Sequence, residues 1–441
     1  MKIMVVHNRY RSTSPSGEDR VVDQEHAALV DAGHEVRRYE ARSDDIAQWP
    51  PARRLLVPAQ VVWNPQAVRE AVAMAAEFRP DVVHAHNLFP LLGPSVLRAF
   101  HRRGVPCVVT FHNYRVQCPS GTLFRDGAPC RDCVGKAAPF SAVRHGCYRD
   151  SSLATVPLAA ATVAHRRIWQ TAPSAYVFLS EAQRVELEPM GFPVERSFVK
   201  PNLVPPVRRR QAAEPMVVYV GRFVEPKGVR VLMAAWERYV TDAANPSLRL
   251  ALAGAGPLEP ELRSWARSRP EVEVVGLLDR PACAELVRRA RVVVVPSEWP
   301  EPFGLVVPEA MAAGVAPVAT AHGSFAELIT DGVDGLLYPP GDAGALAAVL
   351  RQVDDDPALA ERLGEQALET YARRFDAEAN VVALESIYRF AVANPRPSSA
   401  RAAEAATADV SRVPLTALSL STLAHGKARH GRRDPSDFGN P

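Results

Sequence analysis

The sequence predicts an α/β protein built as two successive parallel-sheet halves. Three observations carry this reading. Short apolar strands alternate with amphipathic helical stretches along most of the chain, a Pro- and Arg-rich stretch interrupts the alternation near the middle, and glycines follow several strands. With 441 residues the chain has room for two domains and additions. In the first half, strands are predicted over 3–7, 36–39, 81–86, 105–112 and 175–180, with a helix over 19–32 stopped by Gly33. Residues 201–210, PNLVPPVRRR, read as a linker. A second alternation follows, with strands over 216–221, 248–254, 272–276, 291–296, 316–320 and 335–338 and a last helix over 376–392. Two similar halves joined by a linker imply two Rossmann-like domains facing across a cleft, 1–205 and 206–375.

Composition is that of a globular protein, 47% hydrophobic and 23% charged, and a net charge of +3 gives no argument for nucleic acid. No apolar run reaches membrane-span length. The start, Met1 to His7, is polar too soon for a signal peptide and reads as a first strand, so a cytoplasmic location is expected. Periodicity fades after about Asn394, and 394–441 is expected to be a disordered, solvated tail. Its cluster of Lys427, Arg429, Arg432 and Arg433 permits weak peripheral contact with an anionic membrane at the inner face, on the order of 1 kcal/mol per cation.

The densest chemistry lies at Glu301–Glu309, E-P-F-G-L-V-V-P-E, between two buried-looking strands. It places two carboxylates around a helix start at the carboxyl edge of a parallel sheet, where such sheets bind ligands. If the intervening segment were helical, the pair would be about two turns apart. Gly304 lets a backbone approach, and the amides of Leu305 and Val306 are free donors suited to phosphate. A second turn, G-R-F-V-E-P-K-G from Gly221 to Gly228, carries Arg222 and Lys227 after a strand. A third, Gly254-Ala255-Gly256-Pro257, is a tight strand-to-helix turn and a weak signal alone. Trp299 and Pro300 precede Glu301, either shaping the pocket or packing.

The E-x7-E pair and the G-R-x-x-x-x-K-G turn resemble the donor site of retaining glycosyltransferases of the two-Rossmann, glycogen-synthase-like class: the GT-B, family 4-type, group 1 enzymes. The resemblance covers roughly residues 1–393. It implies that Arg222 and Lys227 hold the diphosphate of a nucleoside diphosphate sugar, where fixed cations stabilise the leaving charge. It implies that Glu309 bonds the ribose and that Glu301 lies by the transferred sugar. Leu305 and Val306 would offer amides to phosphate, and Gly254 and Gly256 would wall the nucleotide. Gly17 matches a glycine loop that meets the phosphate from the first domain, although the usual doubled glycine is missing beside Ser16 and Glu18. His112, in T-F-H-N, matches a histidine near the transferred sugar, able to donate to a hydroxyl or steady charge. His84 and His86 end the preceding strand and either bind acceptor or hydrogen-bond locally. The family also implies that 376–393 crosses back to the first domain, and that the leaving phosphate helps deprotonate the acceptor without an enzymic nucleophile. The expected partners are a nucleotide-sugar donor and a glycan, lipid-linked sugar or small-molecule acceptor.

No convincing Asp-x-Asp metal site is present, and no catalytic divalent metal is expected. Asp354-Asp355-Asp356-Pro357 reads as a helix cap. Cys118, Cys130, Cys133 and Cys147 are spaced x11, x2 and x13 in an excursion over 113–150. Such spacing suits a tetrahedral structural zinc, favoured over disulfides in a reducing cytoplasm, with free or redox thiols the alternative. The rival functions are a sugar-nucleotide epimerase on the same fold and a zinc-braced binding module.

Overall fold

The computed structural model describes residues 1–12, 17–210 and 212–397. The basic cluster of the tail lies outside the described residues. In chain order the strands are β1 (Lys2–Arg9), β2 (Glu35–Arg42), β3 (Val82–Ala85), β4 (Cys107–Thr110), β5 (Phe124–Arg125), β6 (Ala128–Pro129), β7 (Ala175–Phe178), β8 (Ser197–Val199), β9 (Met216–Val220), β10 (Arg249–Ala253), β11 (Val272–Gly276), β12 (Val292–Val295), β13 (Ala316–Thr320) and β14 (Leu336–Tyr338).

The first sheet runs β2-β1-β3-β4-β7-β8 and the second β11-β10-β9-β12-β13-β14. All pairings within both are parallel. Each order reverses direction once, between β1 and β3 in the first sheet and between β9 and β12 in the second. The crevice outside the carboxyl ends at such a reversal is where open α/β sheets take ligands. In the second sheet that point is flanked by the turn after β9, with Arg222 and Lys227, and the loop after β12, with Glu301.

The second sheet is covered on both faces. Val293 and Val295 belong to one apolar cluster, while Val292 and Val294 belong to another. A strand buried on both sides has no polar face, which is why β12 reads as an unbroken valine run.

The helix Ala377–Ala393 is capped by Asp376, whose side chain accepts from the amides of Glu378 and Ala379. Its Leu384, Ile387 and Tyr388 pack with Ile3, Val5, Val108 and Val177, so the chain ends this stretch on the first sheet. Asp356 caps Pro357–Arg374 by accepting from Leu359 N, and Asp354 accepts from Ser247 and Tyr239. Both aspartates are thus engaged structurally.

Two details differ from the sequence reading. The residues between Glu301 and Leu305 are not helical, since the helix there is Val306–Ala312, so Glu301 is set by a loop and Glu309 by the helix. The 113–150 excursion is joined to the core of the first half. Tyr114, Val116, Leu123 and Phe124 sit in the apolar cluster of the first sheet, because the segment contributes its own aromatics to that core. The short strand β8 lies outside every strand predicted from the sequence, its three residues giving too little periodicity.

Candidate active site

The loop after β12 is held by short polar contacts. Ser297 Oγ donates to Glu301 Oε1 at 2.9 Å, and Lys227 pairs with the same carboxylate oxygen. Glu301 is only 4% exposed. Buried carboxylates need such partners. The ammonium of Lys227 also lies 5.5 Å from the Trp299 ring centre. Arg222 is exposed and, among the described residues, has no ion-pair partner. A cation left uncommitted beside a sheet reversal is suited to an incoming anion.

Close approach of neighbouring groups explains three of the glycines. A Cβ on Gly254 would stand 1.8 Å from the carbonyl oxygen of Gly221, so the turns after β9 and β10 pack backbone to backbone. Gly304 has φ +75°, and a Cβ there would stand 2.2 Å from the Phe325 ring. A Cβ on Gly256 would stand 2.4 Å from the carbonyl oxygen of Phe223.

The same loop meets the first sheet's side of the molecule. Tyr114 Oη donates to Pro300 O at 2.8 Å, and Ser180 Oγ donates to Pro302 O at 2.8 Å. Trp299 packs edge-on against Tyr114 and belongs to the first core, so packing is its observed role. Gly17 sits against Leu305, where a Cβ would stand 2.9 Å from the leucine methyl. Arg20 forms an ion pair with Glu309 at 2.6 Å. Burial pushes the Glu309 carboxyl above the ordinary carboxylate range, and Arg20 and Arg280 pull it back. The structure thereby brings Gly17, Leu305 and Glu309 to one contact between the two halves, with Lys227 and Glu301 paired on the adjoining loop.

His112 follows β4 and lines an open cleft of about 720 Å³ on the first half, with His86, Glu18, Arg115, Leu158 and Trp169 among its walls. Burial pushes the Glu18 carboxyl up to about 7, opposed by His7. His86 Nδ1 and His112 Nε2 are 2.9 Å apart. Burial holds both rings well below the ordinary histidine value, so both are neutral near pH 7. His84 bonds Tyr388 Oη and Thr110 Oγ1, each at 2.8 Å, which gives it the local hydrogen-bonding role.

Cys118, Cys130, Cys133 and Cys147 line one small pocket with Phe124 and His145, and all four are free thiols. Burial raises the Cys133 thiol to about 11, and the three other cysteines add to the rise. Mutual repulsion of this kind is what a bound cation would relieve. The four residues therefore fit a thiolate site in kind. Their sulfurs do not form a group at ligand spacing. Among the described residues the group with ligand atoms all within 4.8 Å is Glu25, His84 and His86.

Sequence reasoning missed Arg20, Glu25, Lys200 and Asn380. Glu25 did leave a signal. It occupies a core position of the helix Gly17–Asp31, on the buried face with Val22 and Leu29.

Residues 205–370 match the family described as glycosyl transferases group 1, and residues 15–208 match Glycosyltransferase Family 4. The chain belongs to the group 1 glycosyltransferases of GT-B fold. It is 35% identical over 184 residues to a glycogen synthase of Mycobacterium tuberculosis, a match spanning 41% of this chain and 44% of that relative's length. It is 29% identical to a phosphatidyl-myo-inositol mannosyltransferase of Mycolicibacterium smegmatis, over 79% of this chain and 84% of the relative. Among solved structures, a sucrose-phosphate synthase from Thermosynechococcus elongatus aligns with TM-score 0.63 at 21% identity, covering 88% of this chain and 98% of that one. HepE from Anabaena in complex with UDP-glucose aligns at 0.60 and 18% identity, with 88% and 98% covered. Among the described residues no helix is long and apolar enough to cross a membrane.

Proposed function

We propose that this group 1 glycosyltransferase moves a sugar from a nucleoside diphosphate sugar to an acceptor hydroxyl with retention of anomeric configuration. The observation that carries the reading is the convergence at the β9/β12 reversal. An uncommitted Arg222, Lys227 and the buried Glu301 flank one crevice, and Glu309 stands where the two halves meet. Arg222 and Lys227 would take the diphosphate, Glu309 the ribose, and Glu301 the hydroxyls of the sugar. Gly254 and Gly256 would wall the nucleotide, and Gly17 with the Leu305 and Val306 amides would border the phosphate.

In the reaction the bond from the anomeric carbon to the phosphate oxygen breaks, and a bond to the acceptor oxygen forms on the same face. The acceptor proton passes to the departing diphosphate. Lys227 and Arg222 favour this step because they face charge that grows as the bond breaks. His112 lies at the cleft where an acceptor would enter.

The mostly apolar cleft around Leu158 and Trp169 favours an acceptor with an apolar portion, such as a lipid-linked sugar or a hydrophobic small molecule. The relative named for a phosphatidyl-myo-inositol points the same way. The complex of HepE with UDP-glucose makes a UDP-hexose the first donor to test. The four cysteines would hold a structural zinc that braces 113–150; four thiolates leave no open position for chemistry.

A panel of UDP-, GDP- and ADP-sugars tests the donor. One of them should raise the melting temperature and be slowly hydrolysed with release of its nucleoside diphosphate. NMR of the fresh product should show the donor's anomeric configuration. No protection by any donor would sink the reading, and an inverted product would sink retention.

A further inference from the structure

Behind the cleft lies a fully buried chain of ionisable groups that the proposed transfer does not use. Glu25 is 4% exposed, Lys200 2% and His86 4%. The Lys200 ammonium has three protons and three acceptors: Glu25 Oε1 at 2.7 Å, Asn380 Oδ1 at 2.8 Å and Pro201 O at 3.2 Å. Asn380 also donates to Pro201 O at 2.7 Å. Lys200 stands just before the linker and Asn380 on the returning helix, so residues at both chain crossings fix this carboxylate. Its second oxygen, Oε2, has no hydrogen-bond partner and stands 3.7 Å from His86 Nε2.

A neutral imidazole carries one N–H, and its position on His86 follows from the charges around it. A lone pair on Nε2 would face an anion, so Nε2 takes the proton. Nδ1 is then an acceptor, and the 2.9 Å contact requires His112 Nε2 to donate to it. The nitrogen–nitrogen contact holds one proton, so the order cannot be mixed. The other ionisable neighbours do not interfere. Both nitrogens of His84 are engaged by Tyr388 and Thr110, and His7 Nε2 is held by Asp19 at 2.7 Å. A metal on Glu25, His84 and His86 is disfavoured because the ammonium already occupies the cation's place.

We infer that Glu25, pinned by Lys200, is a positioning residue that fixes His112 with its proton on Nε2 and a bare Nδ1, so that the ring accepts a hydrogen bond from a substrate hydroxyl rather than donating one. This rests on the reading of His112 as a site residue. It also refines that reading: a neutral ring with a bare nitrogen orients an O–H and adds no positive charge beside the reacting carbon.

Long-range proton–nitrogen NMR on protein labelled with ¹⁵N-histidine tests the assignment in the unaltered chain. Protons on Nε2 of both His86 and His112 are expected; a proton on His112 Nδ1 overturns the proposal. Glu25→Gln gives the second test. Its amide must keep an oxygen toward the Lys200 ammonium, so its NH₂ faces His86 Nε2 and both rings should invert. Turnover should fall about ten- to hundred-fold, while donor affinity stays within about two-fold. Glu25→Asp, which keeps the carboxylate, should retain the original tautomers. Unchanged tautomers in Glu25→Gln would overturn the proposal, and if that variant does not fold, the wild-type spectrum still decides. Should the tautomers be as inferred while His112→Ala turns over normally, the site reading fails and takes the positioning role with it, leaving only the protonation pattern.

Discussion

Lys227 and Glu301 pair with each other, so a diphosphate bound as proposed would share the ammonium with a buried carboxylate. That arrangement separates the effects of two kinds of substitution. Lys227→Ala would remove the proposed charge-assisted contact to the donor, worth about 1.5–3 kcal/mol, and should raise the donor dissociation constant by about ten-fold or more. Glu301→Ala and His112→Ala should instead lower turnover by roughly a hundred-fold with little change in donor affinity, because their contacts would strengthen as charge develops at the sugar. Calorimetric titration with the nucleotide and initial-rate kinetics give both numbers. Wild-type affinity in Lys227→Ala, or normal turnover in both other variants, would remove these residues from the site.

At the scale of elements, what was legible in the sequence was local. Valine runs marked strands buried on both faces, and Gly254 and Gly256 marked turns packed against neighbouring backbone, so the loops at the carboxyl edge of the second sheet could be placed from the sequence. Lys200, Glu25 and Asn380 were not legible together, because their partnership joins a helix, a linker and a returning helix far apart in the chain. The cysteine segment falls between. Its spacing predicted convergence, and all four cysteines do line one pocket. Its tie to the first core was hidden because Tyr114, Leu123 and Phe124 carry no periodic signal in an irregular stretch. That tie sharpens the metal test. Purified protein should carry about one zinc per chain, and Cys130→Ser or Cys133→Ser should release it. Because the segment shares a core with the sheet, metal loss should loosen 125–150 to protease while the stretch at Tyr114–Leu123 stays protected. Donor binding should persist. Metal-free wild-type protein with an equally resistant segment would exclude the brace.

For the whole molecule, several polar contacts join the two halves, and among them the Arg20–Glu309 pair joins a helix of the first half to the carboxylate proposed for the ribose. Each side chain keeps about a quarter of its surface in water, so the pair itself adds little to stability, on the order of 1 kcal/mol or less. Its larger effect is on protonation. Burial raises the Glu309 carboxyl, and the Arg20 charge opposes that rise. Only the ionised form offers both oxygens to ribose hydroxyls. Removing the arginine should therefore move the Glu309 titration upward and make donor affinity depend on pH. The sign is fixed: as pH falls, Glu309 takes a proton, an acceptor is lost and binding weakens. Arg20→Met should bind the nucleotide about three- to ten-fold more weakly than wild type at pH 6, with a smaller deficit at pH 8. Glu309→Gln, which has no carboxylate to titrate, should bind weakly at both values and flatten the profile. Titration calorimetry of the three proteins at the two pH values checks this. Equal affinity of Arg20→Met and wild type at pH 6 would mean that the arginine does not keep Glu309 ionised. A Glu309→Gln affinity matching wild type would mean that the carboxylate does not bind the ribose.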